Sequence, residues 1–154
     1  MRQQRKTFHN YILYEMENEN LNMEIKFSCD TIPSVDEVIA LYRDAGLARP
    51  VDDAERMKKM LSHSNLFVTA WQDETLIGLA RSLTDWGFCC YLSDLAVRDT
   101  FQKRGIGKRL IQLTKERIGE QSMLLLLAAP TAMEYYPKVG FEKCENSFII
   151  KRKK

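Results

Sequence analysis

Leu95-Ala96-Val97-Arg98-Asp99-Thr100-Phe101-Gln102-Lys103-Arg104-Gly105-Ile106-Gly107-Lys108 is the stretch from which the fold is read. It opens as the end of an apolar, strand-like run and passes through a basic turn. Two glycines then start an amphipathic helix with Ile106, Leu110, Leu113 and Ile118 on its apolar side. The first backbone N–H groups of a helix have no internal acceptor and carry the positive end of the helix dipole. Glycines there remove side chains that would hold a phosphate away, and Lys103, Arg104, Lys108 and Arg109 add positive charge. The segment therefore predicts a pyrophosphate cradle. The plainer alternative is an ordinary strand-turn-helix whose basic residues are solvated. Two other phosphate motifs are excluded. No GxxxxGK[ST] string occurs, and the GxGxxG fingerprint fails because Leu110 occupies its third glycine position.

Working outward, the pattern alternates between periods of about 2 and 3.6 residues. Met23-Glu24-Ile25-Lys26-Phe27 reads as a strand. Ser34 caps a helix through Val35, Val38, Ile39 and Tyr42, which Gly46 and Pro50 end. Asp52 or Asp53 starts a second helix through Met57, Met60 and Leu61. Leu66–Trp71 and Leu76–Ala80 read as a hairpin turning at Gln72-Asp73-Glu74, and a further turn at 85–87 leads into a strand over 88–97. Downstream of the decisive helix, Met123–Ala128 is apolar enough to predict a central strand. A short helix over Thr131–Lys138 and a last strand over Phe141–Ile150 complete the chain. The order predicts an α/β (α+β) sheet with helices on its faces. Residues 1–22 are polar and read as an appendage to a single domain over 23–154.

The composition narrows the function. The 154 residues fit one compact domain, and 45% hydrophobic content supports a core of its own. Lys151, Arg152, Lys153 and Lys154 form a basic tail. Without them, 19 basic and 21 acidic groups leave a net charge of −2. A near-neutral body is not that of a nucleic-acid-binding domain, so no nucleic-acid partner is expected. The longest apolar run, Met123–Ala129, is far short of the roughly 20 residues of a membrane span, and no secretory leader is evident. No membrane partner is expected. Cys29, Cys89, Cys90 and Cys144 lack CxxC spacing, which predicts reduced thiols, no metal site and a cytoplasmic protein.

Gln102-x-x-Gly105-x-Gly107 after Leu95-Ala96-Val97 resembles motif A of the GNAT superfamily of acetyl-CoA-dependent N-acetyltransferases. Tyr135-Tyr136-Pro137-Lys138-Val139-Gly140-Phe141 is similar to that superfamily's tyrosine-x-x-x-Gly-Phe segment. The likeness covers about residues 23–150. Gly78-Leu79-Ala80-Arg81 and Asp94-Leu95-Ala96-Val97 also resemble the plant serotonin N-acetyltransferase-like branch and its bacterial relatives. The resemblance implies a mixed, mostly antiparallel sheet with helices on both faces and strands splayed at the cofactor site. It implies that main-chain groups around Leu95, Ala96 and Val97, chiefly those of Leu95 and Val97, pair with the pantetheine arm of acetyl-CoA. It further implies that Gln102, Lys103, Arg104, Gly105, Ile106, Gly107 and Lys108 hold the pyrophosphate through backbone amides. Many members carry an Asn near the position of Ala129, whose methyl group cannot bond the cofactor.

The implied reaction moves acetyl from acetyl-CoA to a primary amine of a small molecule by direct attack on the thioester. Acetylation of a protein or peptide, and a non-catalytic acetyl-CoA-binding module, are the alternatives. Tyr136 is the candidate acid, because a phenol with a pKa of about 10 can protonate a thiolate of similar basicity. No base stands out. Tyr91 and Ser93 share a strand face if the strand is regular and would bound a water chain, with Asp94 as a carboxylate alternative. The resemblance implies a bulge in this strand, which would change that facing. Trp86, Phe88, Tyr91 and Tyr135 form either an aromatic acceptor wall or core, and Asp85 either draws a cationic amine or caps its turn. Dimers are common in the family, so a homodimer is among the expectations.

Overall fold

A computed structural model describes residues 24–153, together with the backbone of residues 6–8 and 11–13. Strands β1 (Lys6–Phe8) and β2 (Tyr11–Leu13) pair as an antiparallel ribbon. The rest of the expected appendage over 1–22 lies outside the described residues.

The body follows the sequence pattern as far as the third helix. Strand β3 (Ile25–Ser28) is followed by α1 (Val35–Asp44) and α2 (Ala54–Ser62). Then come β4 (Leu66–Gln72), β5 (Thr75–Thr84), β6 (Cys89–Val97) and α3 (Ile106–Ile118). The caps explain the helix starts. The Ser34 hydroxyl accepts from the Glu37 N–H at 3.3 Å while the Glu37 carboxylate accepts from the Ser34 N–H at 2.7 Å, a reciprocal capping box. Asp53 caps α2 through the Arg56 N–H at 2.9 Å.

With β7 (Met123–Leu125), the strands form one sheet in the order β3-β4-β5-β6-β7, antiparallel except for the last pair. Val38, Leu41 and Tyr42 of α1 and Met57 of α2 pack on one face against Phe67, Leu79 and Ala96. Ile106, Leu110 and Leu113 of α3 pack on the other against Val68, Ala80 and Leu92. Helix α3 comes close because Gly78 has no side chain. A Cβ there would lie 3.1 Å from Leu110 and 3.2 Å from Ile106.

Three expectations past α3 are corrected. Met123–Ala128 is not a central strand. Only three of its residues pair, at the sheet edge, and Met123, Leu125 and Leu127 are 51%, 40% and 56% exposed. Its apolar run matches a strand covered on both faces, but α1 and α2 reach only as far as β6. The helix over Thr131–Lys138 is instead two single 3-10 turns, Pro130–Ala132 and Tyr136–Val139. Pro137 has no N–H to bond back, and its ring collides with a helical carbonyl four residues earlier. The strand over Phe141–Ile150 does not form. Phe141 packs on Tyr136 at 5.5 Å between ring centroids, but Phe148 and Ile150 are fully exposed. The polar residues between them turn locally, the Cys144 thiol bonding Asn146 at 2.9 Å, and leave too few strand formers to pair.

Candidate active site

The geometry of β6 defines the site. On one side it pairs with β5 along its length; on the other it meets β7 only from Cys89 to Tyr91. From Leu92 to Val97 that second side has no strand partner among the described residues. The Arg98 N–H donates to the Ile77 carbonyl at 2.9 Å. Main-chain groups alternate in direction along an antiparallel strand, so Ala96 and Asp94 bond toward β5. Leu95 and Val97 therefore face away from it, into the gap left by β7. The Val97 carbonyl accepts from the Gln102 side chain at 3.1 Å from that direction.

The loop to α3 closes one end of this gap. Lys103 and Gly105 both take left-handed conformations, with φ of 62° and 81°, which bring the chain abruptly into α3. Arg104 lies over the Phe101 ring at 5.3 Å, and the buried Ile106 side chain anchors the first turn in the core. The two glycines have different reasons. Gly105 supplies a positive φ. Gly107 supplies space, since a Cβ there would stand 2.9 Å from the Tyr135 hydroxyl and 3.8 Å from Val97. The phenol of Tyr135 thus reaches the point where the helix start and the strand meet.

A β-bulge sits at the other end. Arg81 pairs with Asp94 and Ser82 with Leu92, which leaves Ser93 as the extra residue. The bulge shifts the phase of the strand. Leu92 and Leu95, three apart, both pack on the α3 side, while Asp94 and Ala96 face α1 and α2. Ser93 therefore lies on the same side as Asp94, its hydroxyl and the Asp94 carboxylate both meeting Arg81, so the alternation of a regular strand does not hold there. Its hydroxyl accepts from Arg81 at 2.8 Å and its carbonyl from Arg49 at 2.7 Å.

Asp94 is not placed as a base. Its carboxylate is buried and accepts from Arg49 at 2.5 Å, Arg81 at 2.5 Å and the Tyr42 hydroxyl at 2.7 Å. Burial pushes this carboxyl up, but the hydrogen bond and charge of Arg81, the charge of Arg49 and the Tyr42 hydrogen bond outweigh it. The net result is a pKa below the ordinary carboxylate range. A carboxylate so occupied anchors the bulge. Arg81 also holds Ser64 at 2.6 Å, so α1, the α1–α2 loop, the end of α2 and two strands converge on Asp94. Sequence reading missed Tyr42, Arg49 and Arg81 as a group. The one signal was Arg81 itself, a charge in the apolar run Leu79-Ala80-Arg81-Ser82-Leu83 that demands a buried partner.

Tyr136 is half-buried, with its ring edge-on to Tyr135 at 5.4 Å and to Phe141. Burial raises its pKa, so the phenol stays protonated through neutral pH. Trp86 and Phe88 are exposed at the β5–β6 turn, and Tyr91 is 36% exposed. Asp85 caps that turn, accepting from the N–H groups of Gly87, Phe88 and Cys89 at 2.8 to 3.0 Å. These bonds hold its pKa well below the usual carboxylate range, and they answer the question of its role in favour of the cap. His63 closes α2, its Nδ1 lying 2.8 Å from the Lys59 carbonyl. A groove of about 710 Å³ between α3 and β7, floored by Ile111 and Leu124, involves none of residues 95–108. No helix among the described residues is long and apolar enough to cross a membrane.

A sheet whose bulged strand parts from its parallel neighbour beside a glycine-opened helix is the framework of an acyltransferase of the GNAT type. The acetyltransferase (GNAT) domain family matches residues 38–151, and the chain belongs to that family. An uncharacterized N-acetyltransferase, ycf52 of Pyropia yezoensis, is 30% identical over 138 residues, covering 85% of this chain and 71% of that protein. A probable acetyltransferase from meticillin-resistant Staphylococcus aureus superposes with a TM-score of 0.71. It shares 27% identity and covers 83% of this chain and 99% of its own. The paia N-acetyltransferase of Thermoplasma acidophilum, solved in complex with coenzyme A, has a TM-score of 0.59 at 17% identity. It covers 77% of this chain and 89% of its own.

Proposed function

We propose that this N-acetyltransferase family member moves an acetyl group from acetyl-CoA to a primary amine of a small molecule. The observation that carries the reading is the outward-facing main chain of Leu95 and Val97 beside the first turn of α3. An extended pantetheine arm pairs there as an added strand, and the amides of Gln102 to Lys108 take the diphosphate. Acetyl-CoA supplies an acyl group activated as a thioester. The residues fit it: a strand edge, a gap bounded by Val97 and a helix start without side chains at Gly105 and Gly107 lie in sequence.

In the reaction, the amine nitrogen forms a bond to the acyl carbon as the C–S bond breaks, and its electron pair goes to sulfur. The Leu95 N–H polarises the carbonyl. The Tyr136 phenol gives the departing sulfur its proton and recovers one from water, while the proton lost by the amine passes to solvent at the bulge.

A thiol-release assay over a panel of small amines and peptides tests this. Turnover on small amines supports it; turnover on peptides alone favours a protein substrate, and none on any acceptor leaves a binding module. Tyr136→Phe is expected to lower kcat by about 10²- to 10⁴-fold with the coenzyme A Kd unchanged. Equal loss of both would make the residue structural.

A further inference from the structure

Two guanidiniums surround one carboxylate at the β6 bulge. Asp94 is the only carboxylate touching Arg49 or Arg81 among the described residues, so the cluster holds one positive charge in excess. The Arg81 side chain is 5% exposed and that of Arg49 27%, so the excess charge lies at the margin of the core and not in open solvent. The other groups facing it are neutral: the Tyr42 phenol from α1, Ser64 and the Met60 carbonyl from the end of α2, and Ser93. Other acids have partners of their own, Asp52 in Arg43, Asp44 in Arg98 and Asp85 in the N–H groups of its turn. Among the described residues, no side chain of this cluster is a free general base.

We propose that the excess charge of Arg49 and Arg81 around Asp94 does the work of a base, by disfavouring the protonated form of the acceptor amine beside Ser93. This rests on the acetyl-transfer reading above, which brings the amine to the thioester carbon next to Leu95. A cation near a second titratable cation lowers its pKa. At the effective dielectric of a protein margin, a unit charge several ångströms from an amine moves its titration by on the order of one pH unit, the part exposure of Arg49 being what keeps the effect that small. The amine then gives its proton to water and attacks as the neutral species. Arg49 is in this sense a positioning residue that acts through the field and through the Ser93 carbonyl it grips.

The test is the pH dependence of kcat at saturating amine, which reports ionisations in the bound complex. In the unmodified protein the acidic limb should fall about one unit below the solution pKa of the amine used. Arg49→Lys keeps the charge and should keep that limb, whatever it does to the maximal rate. Arg49→Gln should raise the limb by about one unit. Should Arg49→Gln fail to fold, the comparison of the unmodified protein with the solution pKa of three amines of graded basicity still decides. A limb that coincides with each solution pKa, or that moves equally in the Lys and Gln variants, overturns the inference while leaving acetyl transfer intact. Absence of turnover on every amine overturns the acetyl-transfer reading first.

Discussion

Replacing Asp94 by Asn separates an anchoring role from a chemical one. Asn keeps the volume and one acceptor oxygen but removes the charge between Arg49 and Arg81. The Asp94 side chain is 0% exposed and Arg81 nearly so. Removing one partner of a buried ion pair costs about 3–5 kcal/mol, because the charge left behind stays desolvated. Arg49 is more than a quarter exposed, so water recovers part of that loss and the lower half of the range applies. With a urea dependence of about 2 kcal/mol per molar, a loss of about 3–4 kcal/mol lowers the unfolding midpoint by about 1.5–2 M. Tyr42→Phe removes one hydrogen bond to the same carboxylate and leaves both guanidiniums in place, so it should cost less, about 1.5 kcal/mol. Equilibrium urea unfolding followed by far-ultraviolet circular dichroism reads both. If Asp94→Asn keeps its midpoint within about 0.5 M and loses turnover instead, the carboxylate is a base and the anchoring argument is wrong.

The same cluster sets an acid limit. The folded pKa of Asp94 is depressed, so its contribution is full above the unfolded value of about 3.9 and is lost as pH falls through the lower folded value. Stability followed from pH 6 to 2 should drop below about pH 4 in the unmodified protein, and less steeply in Asp94→Asn. Tyr42 gives the alkaline counterpart. Burial and then the Asp94 charge raise its pKa, so its contribution holds below about pH 10 and is lost above it; Tyr42→Phe should flatten that decline in an alkaline unfolding series. Gly107→Ala places a methyl group against the Tyr135 hydroxyl, the movable end of a side chain. The melting temperature should therefore change little while the coenzyme A Kd rises, as read by calorimetry; an unchanged Kd would place the diphosphate elsewhere.

Much of this was legible because it is local. The Ser34 cap, the Asp73 turn and the glycines at 105 and 107 announce their structures within four residues of sequence. The bulge is different. It appears as one unpaired Ser93 only when β5 is laid beside β6, and the residues that hold it come from positions 42, 49 and 81. The part past α3 misled for a related reason. Met123–Ala128 and Phe148–Ile150 carry strand composition, but composition does not say which neighbour covers a face. With α1 and α2 packed over β4 to β6, β7 is left as an edge. From the sequence, Tyr135 reads either as part of an aromatic acceptor wall or as core. Its reach to Gly107 depends on the break that Pro137 imposes on the expected helix.

A titration of ¹⁵N-labelled protein with coenzyme A goes most directly to the claim that the gap beside β6 is the cofactor cleft. The amide signals of Leu95, Val97 and Gly105 to Lys108 should shift together and their hydrogen exchange should slow. Shifts confined to the groove between α3 and β7, around Ile111 and Leu124, with residues 95–108 unmoved, would contradict it.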